Sequence, residues 1–373
     1  MICSKKNLFY GISLFLTMSF YTLKDAKLLS GHMRILLLIG LIFGIGKMVI
    51  SAEKIPHIRN NKKAFFFLLT ITVVLFLCFL RDKDTRLVIA LFMMFIGMDV
   101  EPEKTIRIMF YTKLPMFLLA MLMGGYGHIN GTALHGGMII LLYICMCGGS
   151  LKAADFFVIS VPFVLLSLYT KSSSFVCGIG FAIICLFVIR KKPMRKRLTS
   201  KFMVYIYPIA LSLNYLFAIT IRDGAVPFIG NRMPDFVNQT FFQLVRWIDV
   251  ATSSRLTLAE ASLQKFGISL WGGNVDYGQI WPGVYFNLDS GMMWMIQGGG
   301  LIVTAIYMAM SVMLMKYLIE TKRYHYVIAA LIIALWATQE DMLVSVGTNF
   351  LMVFMGQAVY YCIERNAKKH GYT

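Results

Sequence analysis

Residues 292–315 read MMWMIQGGGLIVTAIYMAMSVMLM, a run without one charged side chain. A helix needs roughly 20 mostly apolar residues to cross a bilayer, and this run supplies them. Similar runs recur along the chain at 7–23, 34–50, 64–80, 86–98, 108–123, 138–147, 153–169, 175–189, 202–221, 325–338 and 343–363. Two of them, 86–98 and 138–147, are short for a full crossing, so the reading is ten to twelve spans. The chain is therefore expected to be an all-α polytopic membrane protein, one integral domain over residues 1–373. No internal repeat is detectable.

Composition agrees. Of 373 residues, 58% are hydrophobic and 14% charged, against roughly 45–50% and 25% in soluble domains. A soluble enzyme, a disordered tail and a secreted disulfide scaffold are excluded. The first apolar run follows Lys5 and Lys6 without a small-residue cleavage site, and reads as a retained helix.

The net charge is +18, from 36 Lys and Arg against 18 Asp and Glu. In a soluble protein such an excess points to nucleic acid; here its distribution argues otherwise. With an N-terminus inside and alternating spans, most basic residues fall on the inner side, as the positive-inside rule requires. The densest cluster, RKKPMRKRLTSK at 190–201, becomes a cytoplasmic loop beside anionic lipid, with no nucleic-acid partner. Lys47 and Lys113 are expected to snorkel to inner helix ends. Both termini are then cytoplasmic. The cysteines fall in or beside spans, which implies no disulfide framework.

Residues 222–291 form the one large loop, on the outer side. Its cations are Arg222, Arg232, Arg246 and Arg255, with the single lysine Lys265. Guanidinium forks onto phosphate oxygens as lysine cannot. Pro234-Asp235 opens a helix with Phe241, Leu244, Val245 and Ile248 on one face, where Arg246 and Asp249 are spaced to pair. Thr257-x-x-Glu260 has the form of a capping box for a second helix to about Phe266. Two amphipathic helices and an aromatic loop would make a lid on the membrane surface. Trp271, Tyr277, Trp281 and Tyr285 either stack on sugar rings or anchor in the interface. The spans look nearly free of ionisable groups, whereas charge crowds the lid. Such a site suits a substrate that is both lipid-anchored and anionic.

Ser254-Arg255 at a helix start, Gly267-Ile-Ser-Leu-Trp271-Gly-Gly, Asn287-Leu-Asp289-Ser290, and Gly298-Gly-Gly-Leu301 occur in that order. With YTKSSSFVCGIG at 169–180 and TQEDML at 338–343, this order resembles the O-antigen polymerase/ligase superfamily, which includes Wzy-type polysaccharide polymerases. The resemblance implies a GT-C-like helical fold in the bacterial cytoplasmic membrane. It also implies glycan transfer from undecaprenyl pyrophosphate to a lipid-linked acceptor, without cofactor or metal. A flippase and a chain-length regulator would be partners in such a pathway.

Carried over, Arg255 and Arg246 would face the donor pyrophosphate, with Arg222 and Arg232 secondary. Asp289 and Glu340 would be the acids that orient or deprotonate the acceptor hydroxyl, with Asn287 beside them. Lys171 stands where the family often has a Ser-Arg pair. The large loop lacks a histidine, which favours polymerase over ligase; the nearest outer histidines are His128 and His135. Two other readings remain open. Asp82-Lys83-Asp84 is an Asp-x-Asp of the kind metal-dependent GT-C enzymes use, and a lipid-linked oligosaccharide flippase would need a polar path through the spans.

Overall fold

The computed structural model describes residues 5–28, 34–51, 69–70, 72–74, 77, 85–126, 129–148, 151–189, 196, 200–224, 227, 233–273, 275 and 290–369. Among the described residues the chain is 83% helical, without strands. The helices are α1 (Lys5–Asp25), α2 (Arg34–Ile50), α3 (Thr85–Gly97), α4 (Pro102–Leu122), α5 (Ile129–Cys147), α6 (Ala153–Thr170) and α7 (Ser173–Ile189). After them come α8 (Ile206–Asp223), α9 (Asp235–Ala251), α10 (Arg255–Phe266), α11 (Gly291–Trp294), α12 (Gly300–Glu320), α13 (Tyr324–Ala337) and α14 (Leu351–Lys369).

Among the described residues, five stretches are long and apolar enough to cross a membrane: Pro102–Leu122, Ile129–Cys147, Ala153–Thr170, Lys201–Asp223 and Gly291–Glu320. Thr85–Gly97, Ser174–Phe187, Tyr324–Ala337 and Leu351–Ile363 are shorter apolar helices. This is a helical, membrane-embedded chain. Its buried interior is formed chiefly by α12, α13, α14 and the segment before α14, packed on α1, α3, α4, α5 and α7. Because lipid tails are as apolar as these side chains, close packing and buried hydrogen bonds hold the helices together.

Ion pairs fix the two ends of the bundle. Lys6 and Lys47 both pair with Asp99, which joins the start of α1, the end of α2 and the turn after α3. Arg323 pairs with Glu103 at 3.0 Å, which brings the starts of α4 and α13 to the same end. The end of α1, Asp25, lies about 30 Å along its helix from Lys6 at 1.5 Å per residue. At that opposite end Arg86 of α3 meets Asp341, beyond α13.

Several sequence expectations need correction. Lys113 does not snorkel: it sits midway along α4 and is fully buried. His135, expected in an outer loop, is buried within α5, which begins at Ile129 and is a full 19 residues long. The spans are therefore not free of ionisable groups. The expected span 343–363 becomes helical only at Leu351; residues 338–350 are non-helical, and most are buried. The run 292–315 is broken by a π-turn, Met295–Gly299, and by Gly300 at φ +80°.

That break is repaired from outside the helix. The N–H groups of Leu301 and Ile302 donate to the carbonyls of Ser269 and Leu270 at 3.0 and 3.1 Å, and Gly273 N–H donates to Gly298 at 3.2 Å. Nearby, Ser262 donates to Gln297 Oε1, and Gln297 Nε2 reaches the Gly267 carbonyl at 3.4 Å. Irregular backbone survives at membrane depth only when protein partners supply its hydrogen bonds. The large loop supplies them here. It is stitched to the bundle, not laid over it.

Candidate functional site

The loop helices form where expected, but their caps differ. α10 begins at Arg255, and the cap comes from Asp249, in the last turn of α9. Its Oδ1 accepts from Leu256 N–H at 2.8 Å and Thr257 N–H at 3.0 Å, and its Oδ2 accepts from the Thr257 hydroxyl at 2.6 Å. Thr257 is thus a donor to Asp249, not the first residue of a capping box. Asp249 is likewise committed to the cap and does not pair with Arg246, whose guanidinium lies 5.8 Å from the Phe242 ring. A carboxylate at a helix start satisfies orphan N–H groups and opposes the positive helix end. Between the helices Ser253 and Ser254 both adopt left-handed backbone, φ 59° and 61°. Two such serines in succession make a tight, costly turn, and it sets Arg255 at the head of α10.

There Arg255 Nη1 lies 3.2 Å from Glu340 Oε1. At the next residue, Arg86 Nη1 lies 2.8 Å from Asp341 Oδ2, with its guanidinium 4.9 Å from the Trp294 ring. The first pair is the deeper, its side chains 15% and 13% exposed against 23% and 28% for the second. Screening by water is weakest where exposure is least, so the Arg255–Glu340 pair is the less screened of the two, although its contact is the longer.

Two other elements, α8 and the start of α11, hold the turn that carries Glu340. Gly291 N–H donates to the Glu340 carbonyl at 3.0 Å. Asn214 Nδ2 donates to the Thr338 carbonyl at 3.2 Å, while Asn214 Oδ1 accepts from Ser290, which also caps α11 through Met293 N–H. Glu340 lines a cleft together with Asn130, Ser172, Ser174, Phe175 and Trp336. Trp336 Nε1 donates to the Ser174 carbonyl at 2.9 Å and fixes one wall. The crevice is small, with room for about one water molecule, so it marks a group of polar side chains beside Glu340 and not a preformed ligand pocket.

Of the residues expected at the site, Arg255 and Glu340 come together, 85 positions apart in sequence. Lys171 ends α6 in left-handed backbone, exposed and next to the cleft residue Ser172. Trp271 lies in the segment bonded to the broken helix, 38% exposed. Arg222 does not join Arg255; it is exposed and pairs with its neighbour Asp223 at 2.6 Å. Arg246 is exposed on α9, over the Phe242 ring. Arg232, Tyr277, Trp281, Tyr285, Asn287 and Asp289 lie outside the described residues, as do His128 and Asp82-Lys83-Asp84.

Sequence reasoning missed Arg86 and Asp341. The signal for Asp341 was available: two adjacent acids, Glu340 and Asp341, interrupt an otherwise apolar region. For Arg86 there was none, since it closes a short charged loop like any other. The chain matches no protein-family model, no curated protein and no solved structure.

Proposed function

We propose that the chain is a glycosyltransferase that polymerises undecaprenyl-pyrophosphate-linked repeat units into a surface polysaccharide. It would act at the outer face of the bacterial cytoplasmic membrane. The observation that carries this reading is the Arg255–Glu340 pair at the bundle end, with Asn130, Ser172 and Ser174 on the same small crevice as Glu340. The acceptor hydroxyl attacks the anomeric carbon of the donor sugar, and the bond from that carbon to the pyrophosphate oxygen breaks. Charge grows on the leaving pyrophosphate, and Arg255 stabilises it in a partly dehydrated setting. As phosphate oxygens take up the guanidinium donors, Glu340 is released to accept the hydroxyl proton.

The charge distribution supports the orientation. Lys6, Lys47, Lys104 and Arg323 gather at the Asp99 end, which the positive-inside rule assigns to the cytoplasm. The Arg255 end is then external. On α9, Phe236, Leu244, Trp247 and Val250 are all at least half exposed, as an interfacial helix would present them.

A second reading has its own observation. A broken span and buried Lys113 and His135 are features of transporters, and favour a lipid-linked oligosaccharide flippase. One assay separates the two. Purified protein given undecaprenyl-pyrophosphate repeat units should yield a ladder of longer glycans, and translocation without a ladder would overturn the polymerase reading.

A further inference from the structure

Lys113 is buried at the middle of a helix of spanning length, where an ammonium group is tolerated only with good partners. It has two from other elements. Its Nζ lies 3.0 Å from His135 Nδ1 and donates to the backbone carbonyl of Gly347. Because Nδ1 faces a donor, the imidazole carries its proton on Nε2, which lies 3.3 Å from Asp25 Oδ2. The ring is held flat against Tyr126, with centroids 4.3 Å apart and planes 19° apart. Asp25 is partly exposed at the end of α1. A continuous line of groups therefore runs from the bundle surface, through His135 and Lys113, to Gly347.

Gly347 belongs to the non-helical segment 338–350, whose first turn carries Glu340 and Asp341. Such a segment has no helical ladder to keep its shape. Asn349 and Thr348 bond back to Leu343 and Met342 at 2.8 and 3.3 Å, which closes the segment on itself. Lys113 ties this closed segment to α4, and α5 carries both His135 on the relay side and Asn130 on the cleft side. We propose that Lys113, held by His135 and Asp25, is a positioning residue for Glu340. It fixes through Gly347 the segment that delivers the carboxylate to Arg255.

The test uses the full chain in lipid nanodiscs, with its native cysteines replaced. A cysteine at buried Ser345 reports release of the segment, and one at buried Ile328 of α13 reports loss of the whole fold. With Lys113→Met, labelling at 345 by a membrane-impermeant maleimide should accelerate about tenfold, while 328 keeps its rate. No change at 345 overturns the proposal. If both positions accelerate, Asp25→Asn decides, because it leaves Lys113 in place. Acceleration confined to 345 then supports the relay, and any other pattern overturns it.

The activity arm rests on the polymerase reading. There Lys113→Met should lower kcat about tenfold with KM nearly unchanged, since the acid is displaced while the donor site remains. Equal kcat would overturn the positioning role. Wild-type protein that makes no ladder defeats the polymerase reading instead, and the labelling result stands on its own.

Discussion

The Arg255 guanidinium meets the Glu340 carboxylate at 3.2 Å, where two helices on either side of the broken span α12 present their ends to each other. Neither residue is well placed by its own helix alone. Arg255 depends on the serine turn and the Asp249 cap, and Glu340 depends on the amide and carbonyl bonds around residues 338–341. Substitutions in the pair should therefore act as a unit. If the chain polymerises as proposed, Arg255→Lys, which keeps the charge but loses the two-pronged donor, is expected to cut elongation on the order of 10- to 100-fold. Glu340→Gln should cost a similar factor. In the double variant the losses should fall well short of the product of the singles, measured as turnover on lipid-linked repeats.

Removing the cap tests the other side of the pair. Asp249→Ala strips α10 of the acceptor for two N–H groups and one hydroxyl. A cost of about 1–2 kcal/mol follows from the loss of a helix N-cap. Thermal unfolding followed by tryptophan fluorescence should register it as a fall in midpoint, and Asp249→Asn should recover part of the fall. A midpoint equal to wild type would mean that the cap is idle.

Gly272 and Gly300 face each other across the junction between the loop and the broken helix. Their φ angles are +72° and +80°. A Cβ on Gly272 would fall 1.9 Å from the Gly298 carbonyl oxygen, and one on Gly300 would fall 2.1 Å from Gly272 N. Backbone cannot give way there as a side chain would. Either alanine variant should lose most of the monodisperse protein on gel filtration, a cost above about 3 kcal/mol. Gly273→Ala, with nothing within 4 Å of its Cβ position, is the control expected to behave as wild type.

At the opposite end, burial alone would raise the Asp99 carboxyl pKa. The hydrogen bonds and charges of Lys47 and Lys6 outweigh it and leave the value lowered from the ordinary one. A carboxylate lowered in the folded state contributes stability that is full above its unfolded pKa of roughly 4. That stability is lost as pH falls through the folded value. The unfolding midpoint should drop on acidification below about pH 4, and Asp99→Asn should remove this share of the drop. An unchanged acid limb in the variant would assign the loss to other groups.

The helical, apolar character of the chain was legible because membrane spans announce themselves by length and lack of charge. The two loop helices were also legible, since Pro234-Asp235 and the apolar spacing after it carry a local signal. What sequence could not show were features set by partners far along the chain. Asp249 looked like a partner for Arg246, three residues away, and became a cap because the serine turn folded α10 back toward it. Lys113 looked like a snorkelling lysine because its partners, His135 and the Gly347 carbonyl, lie 22 and 234 residues away. Residues 343–350 read as span because most of their side chains are apolar, yet their carbonyls are met by the segment's own Thr348 and Asn349 and, at Gly347, by Lys113. The Arg255–Glu340 pairing was half legible: the residues were singled out, but not that they touch.

The stitching of Ser269 and Leu270 to Leu301 and Ile302 also sets an order of assembly. A ribosome delivers the loop strand before the helix it completes, so α12 enters the bilayer with a partner already waiting. Until that strand docks, two peptide N–H groups of the span remain open in a medium that offers them no water. A change that pulled Ser269 and Leu270 away from Leu301 and Ile302 would take two partners from α12 without altering α12 itself. The part of the chain that reads as an appendage is thus a component of the membrane domain's own framework.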